Sequence, residues 1–253
     1  STTDADVRIG DATVSVQKDG TYAIRGRVTE ERGGTPLALD LTVAPIANAE
    51  FPGATLNSGP FSSGYAVPGL RATATGSICT GVTRRCDQFS SARAYHDHNW
   101  GVWRGVTWEW GTARAGSVAL LFGRVQPPDS LESTAPLFVY VTDSLGFVSL
   151  FRPRSIEYDD GRMVTVGGQT VHVPSRGVLE DIRGDDSLRV ELVVDDAVAT
   201  DTRQGLVDRG ESVLARQLTR PYFVQMQGRV RITMRVRGVR YEASGTGFFE
   251  TYR

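Results

Sequence analysis

Tyr95-His96-Asp97-His98-Asn99-Trp100-Gly101 packs two of the chain's three histidines, a carboxylate, an amide and two aromatic rings into seven residues. A carboxylic acid in an apolar cavity has its pKa raised and can donate a proton near neutrality, and an imidazole can take or relay one. Aromatic faces beside a developing cation stabilise it by about 0.5–2 kcal/mol each once water is excluded. The segment is therefore equipped for proton chemistry on an apolar molecule, with Asp97 and His98 as catalytic candidates and Tyr95, His96 and Asn99 as candidates for holding a substrate. Trp103, Trp108 and Trp110 follow, so that all four tryptophans fall within eleven residues, and Glu109 sits between the last two. In an extended strand His96, His98 and Trp100 would share one face and Tyr95, Asp97 and Asn99 the other. A buried polar network with no catalytic part is the competing reading of the same residues.

The elements that must hold this segment read as strands. Thr21–Thr29, Ala38–Ala44 and Leu188–Val194 alternate apolar and polar residues and are rich in β-branched types. Similar runs lie at Leu70–Thr75, Thr107–Trp110, Ser117–Val125, Phe138–Thr142, Phe147–Phe151, Ile156–Tyr158, Arg162–Val166, Thr170–Val173, Tyr222–Gln227, Val230–Val236 and Arg240–Ser244. Turn signals separate them, among them Lys18-Asp19-Gly20, Gly33-Gly34, Asp160-Gly161 and Gly167-Gly168. This pattern predicts an all-β sandwich or barrel and argues against parallel βαβ units. Gly205–Leu218 alone carries a helical period, and Phe51–Pro68, rich in Gly, Ser and Pro, reads as a long loop that could close over a cavity. A boundary near Ala113–Gly116 divides the chain into 1–114 and 115–253.

The motif Tyr95–Gly101, with Trp108-Glu109-Trp110-Gly111 after it and Gly245-Thr246-Gly247-Phe248-Phe249-Glu250-Thr251-Tyr252 at the end, resembles the carotenoid 1,2-hydratases and the related lipocalin-like proteins, a group that includes Diels–Alder cyclases. The resemblance implies two consecutive lipocalin-like antiparallel β-barrel or half-barrel domains, 1–114 carrying the motif and 115–253 forming the second. It implies functional roles for His98 and Trp100, and for a downstream Tyr-x-Asp pair. Here the nearest equivalent, Tyr140-Val141-Thr142-Asp143, is one residue too long, which sets Tyr140 and Asp143 on opposite faces of a regular strand. A bulge would bring them together; without one, proton donation falls to Asp97 or Glu109. The strands that usually precede the region matching Val7–Gly101 are missing, so the expectation is a first barrel that is reduced or completed by a segment from elsewhere.

Composition narrows the alternatives. With 253 residues, 40% of them hydrophobic and 23% charged, the chain can bury a sizeable core. No apolar run approaches the length of a spanning helix. A net charge of −1 gives no field for a polyanion, and Arg229–Arg237, which alternates cations with apolar residues, reads as a strand with one wet face, so no nucleic acid is expected. Cys79 and Cys86 flank a short polar segment and are either a disulfide or two half-buried thiols. A bridge favours a periplasmic or secreted setting, and free thiols a bacterial-type cytoplasm. His-x-His could start a metal site, but no third ligand accompanies it and His172 lies in its own strand, so no metal is expected. No phosphate loop or Gly-x-Ser-x-Gly elbow is present, which points to no cofactor and away from a serine hydrolase. The resulting expectation is a cofactor-independent enzyme acting on C=C bonds of a large apolar isoprenoid or polyene by proton-driven hydration or cyclisation, with peripheral membrane contact as a route of substrate uptake. A pericyclic cyclase and a non-catalytic lipocalin-like carrier are the alternatives.

Overall fold

The computed structural model describes residues 6–29, 35–58, 61–81, 85–101, 106–126, 136–202 and 222–253, and the described residues form strands without a helix. The fold is all-β, with two curled sheets. The first contains β1 (Val7–Ile9), β2 (Ala12–Val16), β3 (Tyr22–Val28), β4 (Leu37–Pro45), β5 (Phe51–Ser58), β6 (Phe61–Thr80) and β7 (Arg85–Gly101), in the order β1-β2-β3-β4-β6-β5 with β7 also on β6. The second contains β8 (Thr107–Ala115), β9 (Val118–Gln126), β10 (Phe138–Asp143), β11 (Gly146–Phe151), β12 (Ile156–Asp159), β15 (Arg176–Arg183), β16 (Asp186–Asp201), β17 (Tyr222–Val236) and β18 (Val239–Tyr252). Its order is β11-β10-β9-β8-β18-β17-β16-β15-β12, while β13 (Arg162–Val166) and β14 (Gln169–Val173) form a separate hairpin.

By contact density the chain divides into two compact units, Ser1–Ala54 with Tyr65–Asn99, and Thr55–Gly64 with Trp100–Arg253. The core of the first is small. Val43, Ala72 and Ala74 are buried, with Tyr22, Ile24, Ala92 and Ala94 packed on them. The second has a large apolar interior that includes Phe122, Leu120, Val139, Val141, Phe151, Leu179, Ile232, Met234 and Phe249, all essentially inaccessible to solvent. Alternation along β17 produces this interior directly: Val224, Met226, Val230, Ile232, Met234 and Val236 point in while Arg229, Arg231 and Arg235 point out. The outward cations are laced to acids, Arg231 to Glu242 and Arg229 to Asp195, as a wet strand face requires.

One expectation is overturned. Phe51–Ser58 and Phe61–Pro68 are strand, not loop. Glycine, serine and proline hide the period there, and Tyr65, Val67 and Leu70 are buried without strict alternation. β5 lies at the edge of its sheet, the position in a sheet where a proline such as Pro52 is tolerated. The helical period of Gly205–Leu218 and the turn at Gly33-Gly34 lie outside the described residues.

Candidate active site

The Tyr95–Gly101 motif is the last part of β7 and is extended throughout. In the first unit, successive residues therefore alternate in facing. The Tyr95 hydroxyl donates to Asp97 Oδ2 at 2.9 Å, two residues along on the same face. Asp97 is largely withdrawn from water, and that burial raises its carboxyl pKa above the ordinary value. The Tyr95 hydrogen bond and the charge of His96 pull the other way and are outweighed.

His96 turns to the opposite face, that of Ala92 and Ala94, where its ring meets Tyr22 edge-on with centroids 4.3 Å apart. Burial lowers the pKa of His96, against the attraction of Asp97, so the imidazole favours its neutral form. Its Nδ1 is enclosed and has no hydrogen-bond partner. His98 and Asn99 are exposed. Tyr22, which shapes the surroundings of His96, escaped the sequence reading because it sits in an ordinary alternating strand.

In the second unit the Trp100 indole, 43% exposed, lies over Gly64 of β6. A Cβ at Gly64 would run into the indole, so only glycine allows this approach. Trp108 and Trp110 point out from β8 on the face opposite Glu109. Trp108 Nε1 donates to Glu250 at 3.0 Å and its ring packs against Phe223 and Tyr252, with centroids 5.4 and 4.9 Å away. Trp110 is buried against Phe138. Glu109 instead points inward and is held by both Nε, at 2.8 Å, and Nη2 of Arg124. Beside it Tyr158 keeps its phenol proton more tightly than usual, through burial first and the Glu109 charge second. Arg253 covers the Tyr158 ring 4.5 Å from its centroid. Arg124 is the cross-strand partner of Glu109 in the β8–β9 hairpin, while Tyr158 and Arg253 are distant in sequence and no local motif joins them to Glu109. Trp103 lies outside the described residues.

Tyr140 and Asp143 are not brought together. β10 pairs with β9 without interruption, Tyr140 opposite Leu121, Val141 opposite Leu120 and Thr142 opposite Ala119. The irregularity between Val141 and Thr142 falls in the pairing with β11, where the partner steps from Ser149 to Phe147 and the extra residue belongs to β11. Tyr140 lies against Phe147, ring centroids 5.1 Å apart, and Asp143 accepts the Leu145 amide at 2.7 Å in the hairpin turn. Cys79 and Cys86, also singled out from sequence, form a disulfide between β6 and β7.

No family model matches the sequence, and no curated protein matches it. Solved structures do resemble it. An AttH-like protein from Nitrosomonas europaea aligns with 98% of this chain and 69% of its own, at 18% identity and a TM-score of 0.58. Kievitone hydratase from Nectria haematococca aligns with 99% of this chain and 71% of its own, at 14% identity and a TM-score of 0.57. CghA, solved with Sch210972, aligns with 95% and 70%, at 14% identity and a TM-score of 0.52. The fold is lipocalin-like. At these identities the likeness concerns the fold, and chemistry has to be argued from the residues themselves.

Those residues offer two carboxylates of different character. Glu109 is occupied by a guanidinium, whereas Asp97 is bonded to a neutral phenol and inclined by burial to keep its proton. Among the described residues no group of three or more His, Cys, Asp or Glu converges as a metal site. An open groove of ≈ 460 Å³ in the first unit is lined by Asp19, Thr21, Ile46, Glu50 and Pro68, among others, and by none of the motif residues. The chemistry of the motif, not the size of that groove, marks the candidate site.

Proposed function

We propose that this chain is a cofactor-independent enzyme of the hydratase and cyclase kind, acting on C=C bonds of a large apolar isoprenoid or polyene substrate. The observation that carries the reading is Asp97: a carboxyl whose proton affinity is raised by burial, held by the Tyr95 hydroxyl at 2.9 Å. In the step this supports, the π pair of a terminal alkene takes the Asp97 proton to form a C–H bond, which leaves a tertiary cation. Water adds to the cation and releases a proton in hydration; a second alkene adds to it, with later proton loss, in cyclisation. The carboxylate left on Asp97 is the base that can recover that proton. Asn99 shares the Asp97 face of β7 and is assigned to the substrate side of this reaction, whereas His98 lies on the opposite face of the strand.

A second reading, pericyclic cyclisation of a folded polyene, is favoured by the separation of Tyr140 from Asp143. Such a catalyst needs a shaped surface and one polarising hydrogen bond, so the loss of a Tyr-x-Asp pair leaves it unharmed. Incubating the purified chain with linear isoprenoids and polyenes and weighing the products by mass spectrometry separates the cases. Gain of one water supports hydration; with the incubation in deuterated water, an isomer carrying carbon-bound deuterium supports proton-driven cyclisation and an isomer without it the pericyclic reading. Tight binding of unchanged substrate across the panel would overturn the enzyme reading in favour of a carrier.

A further inference from the structure

The second unit ends in a rim of hairpin turns. Ala115 to Val118 joins β8 to β9, Asp143 to Gly146 joins β10 to β11, Arg183 to Asp186 joins β15 to β16, and Val236 to Val239 joins β17 to β18. β8 runs antiparallel to β18 with Ala115 opposite Gly245, which sends the β8–β9 and β17–β18 turns to the same end of the sheet. β11 also reaches β15: Arg183 Nη1 donates to the Leu150 carbonyl at 3.1 Å, and the Arg152 amide to Asp181 Oδ2 at 2.6 Å. These bonds carry the row of turns round towards closure.

This rim holds apolar side chains in water. Leu145 is 89% exposed and Ile182 78%, the two highest values among the large hydrophobic residues described, and Phe147 at 58% and Val239 at 54% accompany them. Single exposed apolar residues are ordinary, but four at the tips of neighbouring turns are a pattern that a folded surface otherwise avoids.

Cations stand among them. Arg235 and Arg237 make no ion pair among the described residues. Most of the nearby acids are engaged: Asp143 accepts the Leu145 amide, Asp186 the Arg237 amide, Asp181 the Arg152 amide and the Arg183 guanidinium, and Glu242 binds Arg231 and Arg240. Asp143 and Asp186, whose partners here are uncharged amides, keep their negative charge, and Asp185 adds an exposed third carboxylate between Arg183 and Asp186.

We infer that this rim docks the protein on a phospholipid bilayer, Leu145, Phe147, Ile182 and Val239 entering the boundary between headgroups and acyl chains while Arg235 and Arg237 meet lipid phosphates. Free guanidinium groups beside protruding apolar tips complement a surface that is anionic outside and apolar beneath. Separate convex tips suit a fluid interface, whereas a protein partner would need a matched surface of about 1,000 Å² or more. The inference does not depend on the reaction proposed above, and it identifies the surface through which a membrane-dissolved substrate would be met.

The test is co-sedimentation of the purified full chain with vesicles of phosphatidylcholine alone and of phosphatidylcholine mixed with phosphatidylglycerol. Wild type is expected to pellet with both and more strongly with the mixture. Leu145→Glu with Phe147→Glu removes two apolar anchors and is expected to lower partition about tenfold or more on both vesicles. Arg235→Glu with Arg237→Glu is expected to lose only the preference for phosphatidylglycerol. All four side chains are outside the core, so matching thermal transitions will show that the variants fold. Wild type remaining in solution, or the Leu145→Glu/Phe147→Glu variant pelleting like wild type, would overturn the inference. So would a dimer in the absence of lipid that the same variant dissociates, because the rim would then be a self-contact.

Discussion

Replacing Asp97 with Asn removes a transferable proton and leaves the shape of the site almost intact. The amide oxygen can still accept from Tyr95, so the 2.9 Å hydrogen bond survives in the variant. A positioned general acid is worth about 10²–10⁴ in rate, or roughly 3–5 kcal/mol of barrier, and turnover should fall by that factor below the alkaline limb, the gap closing as pH rises through the Asp97 pKa and wild type loses its own acid. Stability should move the other way. Burial raises the folded pKa of Asp97 above its unfolded value, so its contribution is fully present below the unfolded pKa and is lost as pH rises through the folded one. Asn does not ionise and lacks that loss. Urea unfolding of the two proteins between about pH 4 and 8 should show the variant equal in stability at the acid end and more stable at the alkaline end. A variant that turns over like wild type would remove Asp97 from the chemistry. One that unfolds more easily than wild type at pH 7 would mean that the carboxylate is an anionic structural anchor, and the reasoning from burial would fail.

Three further outcomes follow from the same contacts. The Tyr95 hydrogen bond lowers the Asp97 pKa, so Tyr95→Phe should move the alkaline limb of the pH–rate profile upward, with no new acid limb. Glu109→Gln takes the charge from a buried pair and strands the Arg124 guanidinium; it should cost about 3 kcal/mol in urea unfolding, with turnover per folded molecule unchanged. Gly64→Ala places a methyl where the Trp100 indole lies, should cost about 1–3 kcal/mol, and should shift tryptophan emission by displacing that ring.

Much of the second sheet was legible because its strands are half wet. The alternation at Leu188–Val194 and Val230–Val236 is that of β16 and β17, with arginines and acids outside and Val, Ile, Leu and Met inside. β5 and the start of β6 were not legible, since buried aromatic and aliphatic residues there are interleaved with Gly, Ser and Pro and show no period. β15 was missed for a related reason: Arg176-Gly177-Val178-Leu179-Glu180-Asp181 reads as a mixed polar run, although Leu179 is fully buried. Within the motif, alternation foresaw that Tyr95 and Asp97 share a face. It could not foresee that Tyr22 packs on His96 or that Tyr158 stands beside Glu109, because those contacts join strands far apart in the chain, whereas the Glu109–Arg124 pair follows from the register of the β8–β9 hairpin.

The most direct test of the account is product analysis in deuterated water, with a linear polyene that wild type consumes and with Asp97→Asn and His98→Ala as controls. The account predicts one carbon-bound deuterium per product molecule, formed by wild type and lost in Asp97→Asn. Product free of carbon-bound deuterium, or deuterium incorporated equally by Asp97→Asn, would contradict it.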